Sequence, residues 1–290
     1  EHLEIAVDVI GDLVFEPVLR QADLDLERNV VLEEIAMVED TPDDLVFELH
    51  NEAVWADHPL GYSILGTRET VAALGVKELK ELHRKAYNPS QIVVAAAGSV
   101  DHDRLVELLS KTGWHARTDR SAKAMTSRRA SAGKPTRRFV TGPGSQTHIV
   151  LGAPTIGYRD SRRHPLVLLS VVLGGGMSSR LFQRVREELG LAYAVYTFQN
   201  FYSTCGVQGV YVGTAPGTAA AALGAIETEL SDVVAKGLTE EEVVQGKGQL
   251  KGQITLSLES PTARMYRAAA VALYGEPYRT LDEMLALVDG

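Results

Sequence analysis

The sequence predicts an α+β fold in two related halves, each a mixed sheet with helices packed on one side. Three observations predict it. Helix-length runs with apolar stripes alternate with a few short, continuously apolar runs of strand length. A basic stretch, 115–138, interrupts the pattern. The order of signals before that stretch returns, weakly, after it. With 290 residues, 45% of them hydrophobic and 23% charged, the chain is long enough for two cores of ordinary globular composition. The expected organisation is a first half over 1–114, a basic linker over 115–138 and a second half over 139–290.

The first half opens with an amphipathic helix over Glu1–Phe15, with Val7, Ile10, Leu13 and Val14 as its apolar stripe. A second helix covers Asp23–Glu39. Asp23 or Asp25 can cap it, and its acidic first turn suits the positive end of the helix dipole. Leu24, Val31, Ile35 and Val38 form its stripe. Glu27 and Glu34 lie two turns apart on nearly one face, about 10 Å along the axis. Spacing alone favours a solvated acidic face over a shared cleft. A third helix covers Asp43–Ala53, with Pro42 in its first turn, Asp40 or Thr41 as cap, and Leu45, Leu49 and Val54 facing inward. His50 stands on it beside Glu48 and Glu52 and reads as a surface or supporting residue rather than a ligand. Short helices follow at Arg68–Leu74 and Val76–Ala86. Gln91–Gly98 reads as a buried central strand, and Asp101 caps a helix over Asp101–Leu109.

Residues 115–138 carry eight Arg or Lys against Asp119, the composition of an exposed linker. No aromatic residues interleave there to stack on bases. The second half opens with a strand at Thr147–Leu151, then a helix over His164–Leu173. The triplet Gly174-Gly-Gly176 lacks the register and the Lys-Ser or Lys-Thr pair of a phosphate loop. Ser178 or Ser179 is expected to cap a helix over Arg180–Glu188, ended by Gly190. Strands at Ala192–Phe198 and Val207–Val212 follow, then a helix over Thr218–Ala235 and another from Glu240, capped by Thr239.

Net charge is −9, but residues 1–52 alone hold sixteen Asp and Glu against Arg20 and Arg28. Such a field attracts cations and basic peptides, and it argues against nucleic acid as the main partner. The longest apolar stretch, Leu166–Leu173, is too short to cross a bilayer, so no membrane partner is expected. The single Cys205 makes no intrachain disulfide and fits a reducing, cytoplasmic compartment.

Two motifs go further. Glu27-Arg28-Asn29-Val30-Val31-Leu32-Glu33-Glu34 resembles the distal half of the zinc site in the pitrilysin and mitochondrial-processing-peptidase family, metallopeptidases with an inverted H-x-x-E-H motif. The resemblance continues through Asp40-Thr-Pro-Asp-Asp44, His58-Pro-Leu-Gly61, Ile64-Leu-Gly-Thr67 and Val93–His102, and covers essentially the whole chain. The run Leu173-Gly-Gly-Gly-Met-Ser-Ser-Arg…Gly190-Leu-Ala-Tyr193 is the second family signature. The resemblance implies a clamshell of two halves, with Glu34 as a zinc ligand, Glu27 as a supporting acid, and Arg186 and Tyr193 holding the peptide. Read without it, Arg186 would pair with Glu187 or Glu188 and Tyr193 would be a half-buried strand tyrosine.

One departure matters: none of the eight histidines forms H-x-x-E-H, and Glu34 follows His2 too closely for His2 to end such a motif. Aligning Pro42 with Pro261 also sets Glu34 against Gln253, so the second half keeps the frame without the carboxylate. The chain therefore reads as an internal piece with a truncated first half. The resemblance implies that the intact parent is a zinc metalloendopeptidase, a hydrolase of processing-peptidase type acting on basic peptides or unfolded segments. The alternative is a non-catalytic scaffold subunit of a heterodimer. As a partner, a second copy or a related subunit is expected. The piece alone is expected to be inactive, since one carboxylate does not hold catalytic zinc.

Overall fold

The structure, a computed structural model, describes residues 2–56, 58–112, 114, 130, 134–142 and 144–290. Most of the predicted linker therefore lies outside the described residues. The chain divides into two units, each assembled from separate stretches. One comprises Glu1–Ile35, Leu65–Ser127 and Ser257–Tyr278; the other comprises Ala36–Ile64, Arg128–Leu256 and Arg279–Gly290.

The first unit is helical among its described residues. It holds α1 (Leu3–Phe15), most of α2 (Gln21–Asp40), and α4 (Arg68–Ala73), α5 (Val76–Ala86), α6 (His102–Lys111) and α10 (Pro261–Tyr274). The predicted stripe of α1 is corrected. Val7, Gly11 and Phe15 are buried, whereas Ile10 and Leu13 are exposed. The buried set runs at intervals of four because Trp114 lies across it, its ring edge-on to Phe15 at 4.8 Å. His83 adds a bond of 2.7 Å between Nε2 and the Val14 carbonyl.

Helix α2 begins two residues before its predicted cap. Asp23 and Asp25 lie inside it and pair with Arg20 (2.8 Å) and Arg28 (2.6 Å). The Arg28 guanidinium also donates to the carbonyls of Val71 (3.3 Å) and Leu74 (2.9 Å), at the end of α4. In the Glu27-Arg28 pair the arginine thus serves packing, by closing open carbonyls of a short helix. A further correction concerns Gln91–Gly98, predicted as a buried central strand. Among the described residues it pairs with no strand, and Val93 and Val94 are exposed. Apolar β-branched residues suit a strand, but a ladder needs a neighbour to bond to.

The second unit is built on a three-stranded antiparallel sheet. Its strands are β1 (Thr147–Thr155), β2 (Ala192–Phe201) and β3 (Gly206–Thr214), in the order β1–β3–β2. Leu151 faces Val210, and Val212 lies opposite both Ile149 and Val195. Side chains alternate across a strand, so these residues share one face. There they meet Leu181, Val185, Ala222 and Ile226, from a segment before β2 and from α8 (Ala219–Lys236). The opposite face carries Gly152, Phe198 and Tyr211 and receives α3 (Pro42–Trp55). Phe47 stacks on Tyr211 at 5.7 Å and meets Phe198 edge-on at 5.2 Å. The sheet is thus antiparallel throughout and covered by helices on both faces.

Helix α7 (Arg163–Gly174) lies against β2. Ser170 and Thr197 exchange hydrogen bonds of 2.7 and 2.9 Å. A Cβ on Gly174 would stand 2.5 Å from the Thr197 backbone nitrogen. The glycine triplet therefore starts with a close helix–strand contact, not with a ligand. Helices α9 (Glu240–Ser257) and α11 (Leu281–Asp289) also belong to this unit, joined where Lys247 donates to the Asp289 carbonyl (2.7 Å) and Lys251 pairs with its carboxylate.

Candidate functional site

The predicted site residues fall into two groups, described separately. Glu27 and Glu34 are both exposed on α2, in its stretch within the first unit. Neither makes a hydrogen bond or ion pair among the described residues. Among those residues, no group of three or more His, Cys, Asp or Glu could hold a metal ion. The donor set does not fit catalytic zinc, which takes three protein ligands. His50, predicted as a surface or supporting residue, is instead buried against the sheet.

Arg186 and Tyr193 lie in the second unit, and here the structure brings predicted residues together. The Arg186 guanidinium carbon stands 4.7 Å from the ring centre of Phe182 and 5.6 Å from that of Tyr193. Cation–π attraction to two rings steers a side chain that would otherwise move freely in water. The alternative pairing is weak: Nε of Arg186 is 3.8 Å from Glu187, and Glu188 is bonded to Arg184 at 2.6 Å. Arg186 keeps 40% of its side chain exposed and Tyr193 keeps 74% of its surface exposed. Tyr193 is thus an open phenol rather than a half-buried one.

The segment that carries Arg186 is anchored by burial. Phe182–Glu188 is a π-helix, not the predicted α-helix. Leu181 and Val185 are fully buried, and Gly190 turns the chain at φ +59 into β2, where Ala192 is buried again. Predicted caps do not form here, since the Ser179 hydroxyl donates to the Gly176 carbonyl (2.6 Å). A π-helix bonds each N–H to the carbonyl five residues earlier, not four, and so rotates later side chains relative to an α-helix. No periodicity in the sequence signals this.

Residues not singled out in the sequence clamp the start of the segment. Arg180 forms a bidentate pair with Glu242, one contact at 2.7 Å, and reaches the Gly237 carbonyl at 3.3 Å. Glu242 also accepts from the backbone N–H of Thr239 (2.8 Å) and its hydroxyl (3.0 Å), capping α9. The Arg180 hydrogen bond, foremost, holds the Glu242 carboxyl at about 2. A carboxylate with a depressed folded value adds stability above its usual range near 4.5, and loses it as pH falls toward 2. With side chains 20% and 24% exposed, solvent screening leaves roughly 1–2 kcal/mol. Glu242→Gln is expected to cost about that much at pH 7, with the difference shrinking steadily toward pH 3 in urea titrations.

Solved structures share this fold. A peptidase M16 inactive domain from Pseudomonas fluorescens superposes with a TM-score of 0.87 at 21% identity, over 98% of this chain and 67% of that one. A protease from Helicobacter pylori gives 0.87 at 18%, over 99% and 74%. The family model for the peptidase M16 inactive domain matches residues 73–250, and that for insulinase (peptidase family M16) matches residues 1–68. The chain belongs to peptidase family M16. An uncharacterized zinc protease of Streptomyces coelicolor is 38% identical over 99% of this chain and 63% of its own length. Another, YmxG of Bacillus subtilis, is 36% identical over 98% and 69%. The chain spans slightly less than two thirds of the first of these relatives. Among the described residues no helix is long and apolar enough to cross a membrane.

Proposed function

We infer that this chain is the substrate-holding part of a peptidase of processing type, and that Arg186 and Tyr193 bind the peptide backbone. One observation carries the reading. An exposed guanidinium stands within cation–π distance of Phe182 and of an open phenol, on a segment whose Leu181 and Val185 are fully buried. A guanidinium and a phenol donate hydrogen bonds to peptide carbonyls and to an oxyanion developing on them. Rigid presentation lowers the ordering cost of that contact. The acidic first 52 residues favour basic segments as substrate.

Glu34 is proposed as the zinc ligand that this chain carries, with Glu27 supporting it. The names of the curated relatives favour zinc in the whole protein. A reducing cytoplasmic location and assembly with a second copy or a related subunit belong to the same proposal. The second reading is a non-catalytic scaffold subunit. The match over 73–250 to a domain described as inactive favours it.

The test is binding of a fluorescent basic peptide by this chain. Arg186→Ala is expected to weaken binding about 10- to 100-fold, the worth of one or two charge-assisted hydrogen bonds of roughly 1.5–3 kcal/mol. Tyr193→Phe is expected to weaken it a few-fold and Glu34→Gln not at all. Equal affinity for the Arg186→Ala variant would sink the substrate-holding role. Calorimetric titration with zinc is expected to show no sub-micromolar site that depends on Glu34; finding one would overturn the expectation that a single carboxylate does not hold the metal.

A further inference from the structure

Helix α3 rests on the sheet through an aromatic ring that can take up a proton. His50 is 8% exposed, and among the described residues no partner stands at hydrogen-bonding distance and angle from either ring nitrogen. The ring lies on the backbone of β1, so that a Cβ on Gly152 would overlap Nε2. The Phe198 ring meets it edge-on, with centroids 5.6 Å apart and planes at 88°. Around it the contact is apolar. Phe47 stacks on Tyr211 one turn before, and Val54 and Trp55 pack on Val207 one turn after.

The charged and titratable groups on the packed elements do not bond His50. On α3 itself these are Asp43, Asp44, Glu48 and Glu52, and Glu52 takes Arg138 at 3.3 Å. On the sheet they are Tyr193, Tyr196, Tyr211 and His148, whose Nδ1 is bonded to the Tyr211 hydroxyl at 2.7 Å. In the turn after α3 His58 receives the Leu60 N–H on Nδ1. An imidazolium in this position has no carboxylate bonded to it, and a buried unpaired charge is strongly disfavoured.

We propose that His50 is an acid-operated release for α3: as a neutral ring it packs the helix onto the sheet, and on taking one proton from solvent it leaves the sheet with the helix. Burial holds its imidazole below the usual range, with the Asn51 side chain opposing in part. The detached helix, with an ordinary histidine near 6.5, binds the proton first. Docking is therefore complete above that pH and weakens below it. The docked-to-released ratio falls tenfold per pH unit until the buried ring itself protonates. Release would uncover Phe198, Tyr211 and Trp55, a change in exposed apolar surface large enough to alter which partners the unit binds.

Hydrogen–deuterium exchange of the full chain tests this, followed by mass spectrometry from pH 7.5 to 5.0 and corrected for intrinsic rates. Protection of 42–55 is expected to fall tenfold per pH unit below about 6.5, while protection of 219–236 stays constant. His50→Leu should abolish the fall, and His58→Gln and His148→Gln should keep it. If His50→Leu does not fold, the unmodified chain still decides, because a single-proton slope confined to 42–55 supports the release. Constant protection of 42–55, an equal fall in 219–236, or a fall that persists in His50→Leu would each overturn it.

Discussion

Leu181→Ala is expected to cost about 2–5 kcal/mol of unfolding free energy and to weaken peptide binding without touching a peptide-contacting group. Leu181 is fully buried among Val185, Ala192, Val195, Val210, Val212, Ala222 and Ile226. Truncation removes its transfer free energy and leaves a cavity that the sheet and α8 can only partly close. The second effect follows from position. Leu181 immediately precedes the π-helix that presents Arg186, and Val185 is the other fully buried anchor. Loosening one anchor lets the guanidinium wander from Phe182 and Tyr193. Urea denaturation gives the first quantity and titration with the fluorescent peptide the second. A variant as stable as the parent would show that this cluster is not the core of the unit.

Gly152→Val is expected to destabilise the second unit by about 3 kcal/mol, at the upper end of what overpacking costs. Valine is the better strand former, so propensity alone predicts a gain. The structure reverses the sign. A Cβ at 152 would overlap Nε2 of His50 and stand 3.0 Å from the Gln208 carbonyl. The imidazole cannot swing aside while α3 stays docked, since Phe198 meets its ring edge-on. Far-ultraviolet circular dichroism should show a lowered melting temperature. Trp55, at the end of α3 and almost fully buried, should emit at longer wavelength. An unchanged melting temperature would contradict the placement of α3 on β1. The double variant His50→Ala, Gly152→Val should recover part of the loss, because the two side chains compete for one space.

Much of the local structure was legible in the sequence. The stripes and caps located the helices from α1 to α8, and the start of α9, to within a few residues. The Thr239 and Asp101 caps form as read, with bonds of 3.2 Å to the Glu242 N–H and 2.8 Å to the Arg104 N–H. The three strands of the second unit lie where short apolar runs stand, each extended by a few residues. The proximity of Arg186 and Tyr193 came from the family signature and from the glycine turn between them. Periodicity could not supply what depends on a partner. It assigned Ile10 and Leu13 to the buried face of α1, yet Trp114 covers the face at Val7, Gly11 and Phe15 instead. It made Gln91–Gly98 a strand on composition, although a strand is defined by the neighbour it bonds.

What the sequence determined by itself is most of the elements before α10, their order, the family and the uneven charge. These follow from backbone propensities, side-chain period and composition, which act over a few residues. Tertiary structure alone decided that His50 is buried against the sheet, that Arg28 closes α4, that Arg180 and Glu242 clamp the segment before β2, and that this segment is a π-helix. Each joins residues far apart in the chain or rotates them by a backbone shift without sequence period. Their energies come from desolvation and close packing, which exist only once the distant surfaces have met.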